Sequence, residues 1–274
     1  MQKVSLEVLQ KLLPPGGLAE SDQDLAPGVS FGRLCREYDE ISRKSGTAQD
    51  AYGLFTRRLE DLCPPIMFVG DGSSRAAFIC QGGFCLKVAK NSAGVAQNRQ
   101  EEKHTANRWW RRSFDCFVRT YGHSRSYGLL LSECCAPVES ESELARALGA
   151  PDRLAMFEAV FALAHGEGHD IASAVGRLRR MACQAEDREY SAYAEAARWL
   201  DDVQKNAAEA DQLKSLVRFW RKYGMDELLP GDVINSQNWG YAIRDGQIKP
   251  VIVDAGFSRG VQDKYYGKSS SRRR

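Results

Sequence analysis

Apolar residues along this chain change their spacing twice, and the changes divide it. Over Val4 to Leu13, Val4, Val8, Leu9, Leu12 and Leu13 fall on one helical face before the stop Pro14-Pro15-Gly16-Gly17. Residues 33–43 and 48–62 repeat the amphipathic pattern, and Cys63-Pro64-Pro65 ends it. Short alternating runs then predict strands at 66–69, 76–80 and 84–89, the last two joined by the turn Gln81-Gly82-Gly83. A charged helix is expected over 95–110, and two more strands at 115–121 and 127–132. Segments 141–149, 151–165, 168–184, 187–206 and 208–223 return to helical spacing. A loop at 229–240 feeds a late hairpin, Trp239 to Ile243 and Val251-Ile252-Val253, across Asp245-Gly246. Three strands, a helix and two strands make a compact five-stranded sheet crossed by one helix, ahead of a helical body.

Composition narrows the class. The chain has 274 residues, 43% hydrophobic and 27% charged, which is ordinary for a globular protein with a real core. A formal net charge of +2, from 38 basic and 36 acidic residues, argues against a dedicated nucleic-acid binder. The mixed aromatic and basic stretch Asn107-Arg108-Trp109-Trp110-Arg111-Arg112 is expected to be a helix end with core tryptophans rather than a single-strand binding site. No run is long enough to span a bilayer and no signal-peptide core opens the chain, so a cytoplasmic protein without a membrane partner is expected. The eight cysteines are then small buried hydrophobes, and a Cys80–Cys85 disulfide across the turn is not expected. His165 and His169, four apart, have metal-like spacing, but Gly166 and Gly168 interrupt the helix that would present them.

Four features carry candidate chemistry, and they occur in a fixed order. Gly70-Asp71-Gly72-Ser73-Ser74-Arg75 is a Gly-rich turn entering a strand, where backbone can approach phosphate closely. Lys87 sits inside the apolar strand Phe84-Cys85-Leu86-Lys87-Val88-Ala89, so it must snorkel or meet an anion. Glu101 on the following helix could pair with it, with Glu102 as the rival. Asp232 and Asn238 lie in the loop before the late hairpin, and Asp254 follows its last strand ahead of Ala255-Gly256. An acid at a strand end beside an amide-bearing loop suits Mg²⁺.

In order and spacing, residues 66–258 resemble the protein-kinase-like superfamily, including its small aminoglycoside-phosphotransferase-like and short phage-encoded members. The resemblance implies an α+β, bilobal kinase-like fold: a five-stranded antiparallel N-lobe sheet with one helix, and a mainly helical C-lobe with a small hairpin. It implies lobes at 64–137 and 138–268; the apolar spacing adds a helical N-terminal extension over 1–63, and the basic tail at 269–274 is expected to be disordered. It further implies that Gly70, Gly72 and Ser74 cover nucleotide phosphates, that Lys87 holds them, and that Glu101 orients the lysine. Leu129 to Cys134 would be the strand and hinge, with the backbone of Glu133 and Cys134 on adenine. Asp232 would be the catalytic-loop acid, and Asn238 and Asp254 would hold Mg²⁺.

The implied function is an ATP- and Mg²⁺-dependent phosphotransferase. The acceptor, a small molecule or a protein, is not specified. Departures from the pattern point to the alternative, a catalytically inactive pseudokinase-like binding or scaffold protein. Arg75 replaces the third loop glycine, and Pro230-Gly231 stand where a His-Arg pair is expected. Asp232 to Asn238 is one residue longer than the family spacing, which puts Gln237 at the asparagine position. Only 18 residues follow Gly256, too few for an activation segment or a protein-docking region.

Overall fold

The computed structural model describes residues 24–26, 29–62, 66–80, 83–106, 114–185, 187–206, 211–244 and 246–267. The helix expected over 4–13, the segment 107–112 and the basic tail lie outside them. The chain divides into two compact units. The first holds the described residues up to 106, 118–136 and the C-terminal residues from 261; the second holds 114–117 and 137–260.

The first unit begins with two short strands, β1 (Asp24–Ala26) and β2 (Val29–Ser30), then helices α1 (Phe31–Lys44) and α2 (Ala48–Leu62). Five strands and a helix follow: β3 (Met67–Asp71), β4 (Arg75–Cys80), β5 (Phe84–Ala89), α3 (Ser92–Thr105), β6 (Thr120–His123) and β7 (Leu129–Glu133). All neighbours pair antiparallel in the order β3-β4-β5-β7-β6, so the sheet expected from the sequence forms. Alternation along β5 decides what each face does. Phe84, Leu86 and Val88 enter one core with Leu129 and Leu131 of β7 and with Leu34, Tyr38, Phe55 and Leu59 of α1 and α2. Lys87 has the opposite parity, on the face against which α3 packs. Side chains from residues 31–62 thus cover the sheet's second apolar face. Asp39 of α1 also receives the N–H groups of Arg125 and Ser126 at 3.0 and 3.2 Å, which fixes the turn between β6 and β7.

Helix α3 starts at Ser92, where Asn91 accepts the Gly94 N–H as N-cap, and is described to Thr105; the rest of the expected span, 107–110, lies outside the described residues. Of the strand expected over 115–121 only Thr120 and Tyr121 fall in β6, which runs on to His123. Residues 114–117 belong instead to the second unit, where Phe117 bridges Ile252 and the buried Arg244 guanidinium donates to the carbonyls of Asp115 and Phe117 at 2.8 and 2.6 Å.

After β8 (Ala136–Pro137), the second unit is built from α4 (Glu141–Ala147), α5 (Arg153–His165), α6 (Ile171–Gln184), α7 (Asp187–Lys205) and α8 (Asp211–Tyr223). Ser140, Asp152 and Asp170 each cap the N-terminus of the helix that follows them. Helix α6 starts three residues later than its periodicity suggests, because Gly168 takes φ +69 in the break after α5. The core gathers Leu163, Leu178, Leu200, Phe219, Trp220 and Trp239. The expected loop before the hairpin is partly helical: α9 (Pro230–Ile234), with proline in its first turn, and a 3₁₀ turn at Ser236–Asn238. Strands β9 (Trp239–Arg244) and β10 (Gln247–Ile252) pair antiparallel, and Gly246 supplies φ +72 at their turn. Helix α10 (Arg259–Tyr265) closes the described chain. No helix among the described residues is long and apolar enough to cross a membrane.

Candidate functional site

The first unit gathers Lys87, Glu101 and a residue the sequence analysis used only as a departure, Arg75. Register on the sheet brings them together. Arg75 opens β4 opposite Ala89, Lys87 sits two residues back on β5, and α3 packs on the face they share. Lys87 Nζ lies 2.5 Å from Glu101 Oε1, and Arg75 Nη1 lies 2.7 Å from Glu101 Oε2. Glu101 is fully buried, with both cations about nine-tenths buried. Of the two glutamates, Glu101 makes the ion pair with Lys87, and Glu102 is half-buried. Arg75 also donates to Asn98 Oδ1 at 3.2 Å, and Asn98 Nδ2 donates to the Tyr127 carbonyl at 2.9 Å. Buried charges persist in a protein interior when they are paired in this way. Arg75 and Asn98 left a faint trace in the sequence: a cation at the mouth of an apolar strand, and an amide one helical turn before Glu101.

The Gly-rich turn is braced along its carbonyl side. Gly72 N–H donates to the Arg75 carbonyl at 2.8 Å, and the Ser74 carbonyl accepts from Lys90 N–H at 2.8 Å. Lys90 Nζ reaches the Gly72 carbonyl and Asn91 Nδ2 the Ser73 carbonyl, at 3.0 and 3.1 Å. Gly70 lies beside a bulge in β3 with open space where a Cβ would stand. Ser74 is 3% exposed, and its hydroxyl is bonded to the hydroxyl of Tyr266, which also receives Gln97 Nε2 at 3.2 Å. In this conformation Ser74 is thus engaged by the C-terminal segment rather than presented for a phosphate. Nothing in the sequence marked Tyr266. The expected hinge is likewise engaged by its own sheet: Glu133 N–H donates to the Arg119 carbonyl at 2.8 Å and Cys134 N–H to the Gly83 carbonyl at 3.0 Å.

The second unit brings together Asp232, Asn238 and Asp254. Asn238 Nδ2 donates to the Asp232 carbonyl at 3.1 Å, and the Asn238 carbonyl receives Val253 N–H at 2.8 Å, so the residue before Asp254 is tied to the 3₁₀ turn. Asp254 Oδ1 accepts Gly256 N–H at 3.2 Å, turning the chain sharply after β10. In the 3₁₀ turn Gln237 is exposed and Asn238 is half-buried. Burial first, and the neighbouring Asp254 charge second, push the Asp232 carboxyl up to about 6. Its Oδ2 is buried without a hydrogen-bond partner. Among the described residues no three His, Cys, Asp or Glu side chains gather to hold a metal. Two carboxylates with an amide are nevertheless the kind of set Mg²⁺ uses when substrate phosphates complete its shell, and an orphaned buried carboxylate oxygen fits such an ion.

His165 and His169 each place Nδ1 on a backbone carbonyl, of Phe161 and of Leu163. Cys80 and Cys85 are not joined by a disulfide.

Comparison of the chain with protein-family models, with curated proteins and with solved structures returned no match.

Proposed function

We propose that the chain is an ATP- and Mg²⁺-dependent phosphotransferase of bilobal, protein-kinase-like type. The observation that carries this reading is the Lys87–Glu101 pair, on the third strand and the following helix of a sheet ordered first-second-third-fifth-fourth. Lys87 would hold the α/β phosphates, and Gly70 and Gly72 would let backbone approach them. Asp254 and Asn238 would hold Mg²⁺, which on binding neutralises charge on the transferring phosphoryl group. Asp232 would orient the acceptor hydroxyl and take its proton, a role suited to a carboxyl pushed up to about 6. Catalysis would rest on positioning and charge neutralisation rather than covalent chemistry.

A second reading is supported by particular contacts. The Ser74 hydroxyl and the Glu133 and Cys134 amides already have partners within the fold, and Pro230-Gly231 precede Asp232. These favour the alternative, a catalytically inactive pseudokinase-like binding or scaffold protein. Two measurements separate the readings. Mg·ATP at a hundredfold excess over Kd should stabilise a binder by about 2.7 kcal/mol; no shift with any nucleoside triphosphate removes the phosphotransferase and leaves the scaffold reading. Transfer of ³²P from [γ-³²P]ATP to an acceptor, or to water, supports the enzyme. Stabilisation without transfer selects the scaffold.

A further inference from the structure

We infer that Arg75 is a positioning residue for Lys87: it holds Glu101 in place, so that the lysine can engage an anion without stranding its carboxylate. This deepens the nucleotide-binding reading and rests on it for the identity of the anion.

The Gly-rich turn ends in a long cation where the resembled family has its third glycine. That cation does not project to solvent. It is 9% exposed and spends its guanidinium on Glu101 Oε2 at 2.7 Å and Asn98 Oδ1 at 3.2 Å. The two oxygens of Glu101 are divided, Oε1 to Lys87 and Oε2 to Arg75. In a simple lysine–glutamate pair, every step the ammonium takes toward a phosphate withdraws the only counter-charge from a buried carboxylate, and an uncompensated buried charge is strongly unfavourable. Here Glu101 is wholly buried, but it keeps a charge-assisted bond to Arg75 whatever Lys87 does.

Arg75 also fixes the helix. Residues 98 and 101 lie one turn apart on α3 and both accept from the same guanidinium, so β4 holds that face of α3 independently of Lys87. Asn98 passes the constraint to the Tyr127 carbonyl, in the turn between β6 and β7. The planar guanidinium can serve two acceptors at once, which an ammonium does less well.

The test compares Arg75→Ala, Arg75→Gln and Arg75→Lys with the parent, by two readouts on the full chain. The first is Mg·ATP affinity. Arg75→Ala should weaken it about tenfold or more, and Arg75→Lys should stay within about threefold of the parent. The second needs no nucleotide: the rate at which an activated ester acylates Lys87, measured by peptide mass spectrometry against exposed Lys44 in the same molecule. With Glu101 left to Lys87 alone, that rate should fall at least about threefold in Arg75→Ala and recover in Arg75→Lys. If Arg75→Ala does not fold, Arg75→Gln, which removes the charge but keeps a polar side chain, takes its place. Parent-like labelling in the charge-removed variant overturns the inference, as does a lysine variant that behaves like the alanine one. Should the parent fail to bind Mg·ATP, the nucleotide reading falls, and the labelling still decides the role of Arg75.

Discussion

Replacing Asp232 by asparagine should make the protein more stable at pH 8 and leave it unchanged at pH 4. The Asp232 carboxyl titrates at about 6 in the folded chain against 3.8 for an ordinary aspartate, because of burial and then the Asp254 charge. Below 3.8 both folded and unfolded chains are protonated there, and the group contributes no pH dependence. Between 3.8 and about 6 the unfolded chain ionises first, so stability falls as pH rises, and above about 6 the full penalty is present. At 1.36 kcal/mol per pH unit, the interval from 3.8 to about 6 is worth about 3 kcal/mol. Solvent screening at this partly open site reduces that to about 1–2 kcal/mol. Asparagine keeps the shape and removes the charge, so Asp232→Asn should gain about 1–2 kcal/mol at pH 8 and almost nothing at pH 4. Urea denaturation of parent and variant at the two pH values reads the difference as a shift in midpoint at constant slope. A variant equally stable, or less stable, at pH 8 would refute the argument that Asp232 is ionised there at a cost.

The other expectations concern single contacts. Lys87→Met should abolish Mg·ATP binding while the chain still folds; its stability loss should stay below the about 3–5 kcal/mol of a stranded buried charge, because Arg75 still meets Glu101. Retention of binding would remove Lys87 from the site. Asp254→Asn should make nucleotide binding independent of Mg²⁺, checked by calorimetry with and without the metal, and an unchanged Mg²⁺ requirement would assign the ion elsewhere. A Cβ on Gly94 would stand 2.1 Å from the Ser74 carbonyl oxygen and 3.2 Å from Ala89 Cα, whereas one on Gly70 meets nothing within 4 Å. Gly94→Ala should therefore cost about 1–3 kcal/mol, and Gly70→Ala should stay within about 0.5 kcal/mol. Equal thermal midpoints for the two variants would contradict this packing of the turn on α3.

The order of elements was legible because it rests on local physics. Period-two alternation in β4 and β5, the Asp245-Gly246 turn signal and the 3.6-residue spacing in 141–223 each act over a few residues. Boundaries failed where a tertiary contact overrode the pattern. Residues 115–119 have the composition of a strand, yet Arg244, more than a hundred residues later, binds their carbonyls. The segment before the hairpin reads as a loop in the sequence, and side-chain capping by Asn235 folds Ser236–Asn238 into a 3₁₀ turn.

The candidate site divides along the same line. The sequence by itself determined that a lysine lies in an apolar strand, that a glutamate follows on a helix, and that acids end the late loop and hairpin, because those facts follow from residue type and periodicity. Tertiary structure alone decided that Glu101 serves two cations, that Asn98 joins them, that Tyr266 takes the Ser74 hydroxyl, and that Asp232 and Asp254 are close enough to repel. Partners of this kind are set by strand register and helix packing, which sum weak apolar contacts over the whole core and leave no mark at the positions they bring together.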